Sequence, residues 1–272
     1  WRTYGGDDAN SHYSALTQIN RDTVSELEPA WQYASARGAD LPATSELQVN
    51  PIVIDGVLFG RSPLYNVFAL DAASGRELWT HDRELEHVGL SNMRGLSYWQ
   101  GEAPAGAPTR RLFFTTGHYL MALDAANGEL IDSFGDNGKV DLRLGLGRDP
   151  QAISINSPSP GVIFENLIIM GSAVTETAGA APGDIRAYDV RSGELVWTFH
   201  TIPHPGEAGH DTWPGDAWKT AGGANAWAGK SLDRERGVVY VPTGSPTPDF
   251  DGSQRQGANL FANTIIALDA RS

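Results

Sequence analysis

The chain contains no cysteine. Disulfides, thiolate metal sites and cysteine nucleophiles are therefore excluded, although an oxidising compartment is not. Basic residues are scarce as well: 20 Lys and Arg stand against 33 Asp and Glu in 272 residues, a formal charge of −13. Phosphate backbones are held by clustered cations, and no basic run here is longer than Arg110-Arg111. Nucleic acid is not an expected partner. No apolar run approaches the roughly 18 residues that a membrane-spanning helix requires, so no transmembrane segment is expected. No basic-then-apolar leader precedes Trp1, as expected of a mature or trimmed product.

What is present describes a folded chain. Apolar residues make up 40% and charged residues 19%, which places it among globular rather than disordered sequences. The 31 Gly and 16 Pro are many for a helical bundle, and eight Trp, eight Tyr and nine Phe suit an all-β architecture with frequent turns. The whole chain, 1–272, reads as one domain with ample length for a core.

One phrase returns. It runs Val67-Phe68-Ala69-Leu70-Asp71-Ala72-Ala73-Ser74-Gly75-Arg76-Glu77-Leu78-Trp79 and recurs from Leu120 to Leu130 and from Ile185 to Trp197. It starts once more at Ile265 and reaches Ser272. Each copy is a hairpin: an apolar run reaches Asp (71, 124, 189 and 269), a turn places Ser or Asn before Gly, and a second run ends in Trp in two of the copies. Glycine supplies the positive φ of a tight turn, and Asp can accept from turn amides. The terminal Trp is expected to bury its ring between neighbouring units while its N–H finds a backbone acceptor. A further strand pair precedes three of the copies, as in Pro51–Gly60, Gly161–Gly171 and Gly237–Pro242. Four strands per unit with a recurring aromatic is the pattern of a β-propeller blade, and a hairpin-rich sandwich is the alternative. The expected architecture is roughly four blades plus the start of a fifth, a portion of a larger ring.

The repeat closely resembles the tryptophan-docking motif of quinoprotein dehydrogenases, which use pyrroloquinoline quinone (PQQ) on an eight-bladed propeller. The segments Trp1–Asp7, Tyr13–Asn20, Val24–Trp31, Arg94-Gly95-Leu96-Ser97-Tyr98 and His210–Trp227 are similar to that family too, nearest to its glucose-dehydrogenase-like branch. The resemblance implies PQQ and Ca²⁺ or another divalent cation as cofactors, and an alcohol, polyol or sugar substrate oxidised at its CH–OH carbon. It implies a quinone or cytochrome electron acceptor and a bacterial periplasmic location.

A flat, tricarboxylated quinone calls for an aromatic floor, cationic or amide donors, and a hard cation held by oxygen ligands. The resemblance assigns the floor to Trp227, with Gly222 and Gly223 allowing close backbone approach; a core tryptophan is the alternative. It assigns cofactor contacts to Arg94, to Thr115 or Thr116, and to the Ala173, Val174 and Thr175 backbone. Glu176 matches the acid that binds the metal. Ser245 falls where many calcium-using relatives carry Asn as second ligand, a departure that weakens the donor. Asp249 reads as a structural turn residue and His87 as a weaker candidate near the substrate mouth. The adjacent cysteine pair of methanol-oxidising relatives is replaced within Val88–Asn92.

The resemblance puts the catalytic Asp, and a basic residue bridging the quinone oxygens, downstream of Ser272. The 272 residues alone are expected to be inactive. Two rivals share the repeat: a non-catalytic scaffold propeller of the outer-membrane assembly type, acting by protein contacts, and a cofactor-free sugar-binding propeller. Neither needs Trp227, Glu176 and Arg94 to converge. Other motifs fail. Ala224–Ser231 ends like a P-loop but lacks its first Gly, Gly145–Pro150 lacks the third Gly of a dinucleotide fingerprint, and no Gly-x-Ser-x-Gly elbow occurs. His200, His204 and His210, with Pro203 and Pro205 between them, are too loosely spaced for a helical metal motif and read as loop histidines.

Overall fold

A computed structural model describes residues 1–36, 46–82, 93–102, 105, 107 and 109–272. Runs of β-branched and aromatic residues form strands that fold back on themselves in chain order. The first antiparallel sheet joins Ile52–Ile54, Val57–Arg61, Val67–Asp71 and Glu77–His81. The second joins Ser97–Gln100, Arg110–Thr116, Tyr119–Asp124 and Lys139–Asp141. The third joins Val162–Phe164, Leu167–Met170, Ile185–Asp189 and Leu195–Phe199. Ser231–Asp233, Val238–Pro242 and Ile265–Asp269 make a three-stranded fourth.

The expected hairpins are present. In the first, Asp71 Oδ1 accepts from the Ser74 amide at 2.9 Å and from its hydroxyl at 2.7 Å, while Gly75 turns the chain at φ +69°. Four blade-like sheets follow one another along the chain. The first and third copies of the phrase form the third and fourth strands of their sheets, the second copy forms the third strand with Lys139–Asp141 following as the fourth, and the copy at Ile265 is the third strand of the fourth sheet.

Period-two alternation packs the sheets face to face. Leu112, Phe114, Met121 and Leu123 of the second sheet join Ile52, Phe59, Val67 and Ala69 of the first. Their neighbours Phe113, Leu120 and Ala122 point the other way and join Ile168, Met170 and Tyr188 of the third. Ile169, Ile185 and Ala187 of the third meet Leu232, Val239 and Val241 of the fourth. Central sheets are thus apolar on both faces, which is why their strands read as continuous apolar runs.

Polar donors cross the same junctions. The Trp79 indole N–H donates to the Ala125 carbonyl at 3.3 Å and Trp197 to Ala270 at 3.2 Å, and Trp31, from the segment before the first strand, docks on the first sheet in the same way, donating to Ala72 at 3.2 Å. In every case the acceptor is the residue after the hairpin Asp. The second copy has no Trp at its end, and there fully buried Arg111 takes over, donating to Val190 and Arg191 carbonyls at 2.9 and 2.8 Å. Arg61 reaches from the first sheet to the Thr115 carbonyl of the second at 2.9 Å. Arg186 donates to Leu142 and Leu144 at 2.7 and 2.9 Å.

Lys230 departs from this pattern. It is buried, its ammonium is 3.5 Å from the Ala228 carbonyl, and it has no ion pair among the described residues. Burial pushes its pKa down to about 8.

Two stability outcomes follow for the full-length protein. At Gly128, φ is +77° and a Cβ would come within 2.5 Å of the Trp79 ring; at Gly56, φ is +80° with nothing nearby. Both Ala substitutions carry backbone strain, and Gly128→Ala is expected to cost about 1–3 kcal/mol more by overpacking the tryptophan seat. Equal denaturant midpoints for the two variants would refute the seat. For Lys230, the folded chain holds the proton less tightly than the unfolded one, so the penalty is complete below pH 8 and fades towards 10.5. Lys230→Met is expected to stabilise by up to roughly 3 kcal/mol at pH 7, the gain shrinking as pH rises through that window. A gain that does not vary with pH in thermal melts would contradict it.

Candidate cofactor-binding site

Two short ribbons frame the site. Ala173–Val174, in the connection between the second and third strands of the third sheet, pairs with Ile155–Asn156. Gly222–Gly223, leading into the fourth sheet, pairs with Pro246–Thr247. The ribbons are tied together: the Gly223 amide donates to Ala181 at 3.0 Å and the Asn225 side chain donates to the Ser172 carbonyl at 2.8 Å. A Cβ at Gly222 would run into the Ala180 carbonyl, so close approach is what this glycine provides.

Between them lies a cavity of about 330 Å³, lined by Arg94, Asn156, Ala173, Val174, Thr175, Glu176, Asn225, Trp227, Ser245, Thr247 and Asp249, among others. Seven of the eight residues assigned from the resemblance converge here. Trp227 is half exposed, and the Arg94 guanidinium lies 5.2 Å from its ring centroid. Arg94 is held by its amide, which donates to Pro158 at 2.9 Å, and by its side chain, which donates to Ser159 Oγ at 3.3 Å. Ser159 in turn donates to the Trp227 carbonyl at 2.7 Å. The aromatic floor and the cation therefore share one backbone anchor.

The eighth residue is placed differently. Thr115 is buried and does not line the cavity; its hydroxyl donates to the Ser157 carbonyl at 2.6 Å. Ser157 Oγ passes the chain on to Gly171 at 2.8 Å, so Thr115 props the backbone beneath the ribbons. Thr116 is buried in the same strand. His87 and Val88–Asn92 lie outside the described residues.

Asn156, Asn225 and Thr247 were not singled out from the sequence. Asn156 Oδ1 and Thr247 Oγ1 are buried without a hydrogen-bond partner among the described residues. Ser245 Oγ donates to Asn263 Oδ1 at 3.2 Å, and the Asp249 amide donates to the Glu176 carbonyl at 3.4 Å. A buried acceptor with no donor is costly unless a ligand supplies one. An isolated Asn between Ile155 and a Ser-Pro-Ser-Pro run was the available signal, but nothing in a single sequence distinguishes it from a turn residue.

The polar side-chain donors offered to a cation are all oxygen: carboxylates of Glu176 and Asp249, amide oxygens, and hydroxyls of Ser245 and Thr247. That set suits a hard divalent ion, and the exposed indole beside a guanidinium suits a flat anionic ring. The residues fit both groups. A larger cavity of about 1050 Å³, lined by Trp1–Asp8 and by strands Ser97–Gln100 and Val162–Phe164, contains none of the assigned residues.

Comparison with known proteins places the family and the fold. The family model for the PQQ glucose/ethanol/alcohol dehydrogenase β-propeller domain matches residues 1–272. A quinate/shikimate dehydrogenase (quinone) of Acinetobacter baylyi is 32% identical over 99% of the chain and 36% of its own length. A quinoprotein glucose dehydrogenase of Escherichia coli is 32% identical over 99% of the chain and 35% of its own length. The crystal structure of quinohemoprotein alcohol dehydrogenase from Comamonas testosteroni superposes with a TM-score of 0.80 at 26% identity, covering the whole chain and 39% of that protein. The chain thus spans little more than a third of these relatives. With the repeat, the sheets and the family model in accord, the chain belongs to the PQQ-dependent glucose/ethanol/alcohol dehydrogenase β-propeller family.

Proposed function

We propose that this chain forms the cofactor-holding portion of a PQQ-dependent dehydrogenase that oxidises the CH–OH group of an alcohol, polyol or sugar. The observation that carries the reading is the convergence of Trp227, Arg94 and Glu176 on one cavity that also contains the partnerless Asn156 oxygen. Trp227 offers its exposed face as a stacking surface. Arg94 supplies a fixed positive charge beside it, suited to a carboxylate or quinone oxygen. The backbone of Ala173, Val174 and Thr175 borders the same space and offers amides to an anionic group. Glu176, with Asn156 and Ser245, is the cation-binding set, for which Ca²⁺ is the favoured ion.

Bound PQQ would supply a two-electron acceptor, and the cation would polarise its carbonyl. The residues present here bind, orient and hold charge; the proton-abstracting Asp is assigned to the part of the protein outside this chain. A quinone acceptor is supported by the name of the Acinetobacter relative, with a cytochrome as the other candidate. A periplasmic setting completes the reading. A scaffold propeller gains nothing from orphaned oxygens around an exposed indole, so no observation favours that alternative.

Titration of the full-length protein with PQQ in the presence of CaCl₂ tests the proposal. Saturable binding is expected, weakened about tenfold in Trp227→Ala through loss of the stacking surface. Glu176→Gln should raise the Ca²⁺ requirement and leave PQQ affinity at saturating Ca²⁺ less affected. Dye-linked oxidation of alcohols and sugars should fall in parallel. A correctly folded wild type that binds no PQQ would remove the reading.

A further inference from the structure

His200, His204 and Glu207 form a second cluster, away from the lining of the Trp227 cavity. The sequence spacing argues against a helical metal motif, and no helix is found there; a turn brings the residues together instead. The Glu207 amide donates to the His204 carbonyl at 3.0 Å, folding the segment back on itself. One Glu207 oxygen then accepts from the His204 amide at 2.7 Å, while the other lies 2.9 Å from His200 Nδ1. The two imidazoles stack with centroids 3.8 Å apart and planes 15° from parallel. One ligand atom from each of the three side chains falls within 4.8 Å of the others.

The surroundings hold the turn, and rotation of an imidazole out of the stack is what would aim both ring nitrogens at one ion, because the in-plane lone pairs of near-parallel rings do not converge. Pro203 and Pro205 restrict the backbone on both sides of His204. The Trp218 ring lies 4.7 Å from His204, and His210 Nδ1 meets the Pro203 carbonyl at 3.0 Å. Burial and the neighbouring His200 hold His204 below the ordinary imidazole value. Burial opposes ionisation of Glu207, but the His204 amide and the His200 ring outweigh it and keep the carboxyl low.

We propose that His200, His204 and Glu207 bind a divalent transition-metal ion of the Zn²⁺ or Co²⁺ class. Two nitrogen donors and one carboxylate oxygen favour such borderline ions over Ca²⁺ or Mg²⁺. Glu207 is solvent-exposed, which leaves room for water to complete the coordination. The bound ion closes the turn that follows strand Leu195–Phe199 and stiffens the connection leading through Trp213 and Trp218 to Trp227. The site is independent of the cofactor reading, because its donors and its ion differ from those of the oxygen-lined cavity.

The test is titration of the chelator-stripped full-length protein with CoCl₂. Visible bands of nitrogen-ligated Co²⁺ are expected to saturate at one ion per chain, to be displaced by ZnCl₂ and to be unaffected by CaCl₂. His204→Ala and Glu207→Gln should each weaken binding on the order of a hundredfold, with Glu207→Gln altering only an exposed side chain. Glu176→Gln should keep the bands unchanged, which separates this site from the cofactor cavity. Absence of the bands in wild type, or their persistence in both His204→Ala and Glu207→Gln, would overturn the proposal.

Discussion

The structure depends on a side-chain N–H that leaves one sheet and ends on a backbone carbonyl of the next. Apolar packing alone would let two twisted sheets slide, because burial is non-directional. The crossing donor fixes the register, and its acceptor follows the hairpin Asp at Ala72, Ala125, Val190 and Ala270. That carbonyl is presented by the turn the Asp organises, so the Asp–Gly hairpin and the donor are two halves of one device. The replacement of Trp by Arg111 at one junction shows that the constraint is the donor's position, not the aromatic ring. A guanidinium buried for this purpose spreads its charge over two carbonyls, which answers part of the desolvation cost.

Rigid sheets matter because the cavity beside Trp227, the proposed cofactor site, is made of their connections. Asn156, Glu176, Trp227 and Ser245 come from four separate segments entering or crossing the third and fourth sheets. Their relative positions follow from two-residue ribbons and from shared anchors such as the Ser159–Trp227 hydrogen bond. Loops placed by a rigid scaffold can keep polar groups unsatisfied until a ligand arrives, as Asn156 Oδ1 is here.

The fold was legible because the period-two runs, the Asp and the Gly each act locally. The phrase could be read four times, and its terminal Trp foretold a backbone acceptor in the next unit. What the repeat could not give was the outer strand of the second sheet: that copy ends at Leu130 without Trp, and Lys139–Asp141, beyond the phrase, supplies the fourth strand. The cavity lining was legible where a residue has a distinctive neighbourhood, as with Trp227 after Gly222 and Gly223. Thr115 shows the limit. A threonine in a buried strand can serve a ligand or the backbone, and only the partner of its hydroxyl, Ser157, decides. Asn156 and the His200–Glu207 turn escaped for the same reason: each is defined by a fold-back, not by a spacing.

The two donor sets also bear on how the site is held. From Thr201 to Lys230 the chain contributes only a 3-10 turn, His210–Thr212, a single α-helical turn, Ala217–Thr220, and the Gly222–Gly223 ribbon before it enters the fourth sheet. A segment so poor in ladder hydrogen bonds would open more readily than the sheets on either side. It is pinned instead by discrete contacts: the Trp213 indole to Leu260, Phe261 to the Thr201 carbonyl at 3.2 Å, and Arg148 to Trp218 and Ala221 at 3.1 Å. The His200–Glu207 turn stands at the start of this segment and Trp227 near its end. A metal clip at the start would shorten the free length that the remaining pins must control. The hard oxygen cavity and the imidazole cluster thus need not compete for one ion, because their donors select different ones.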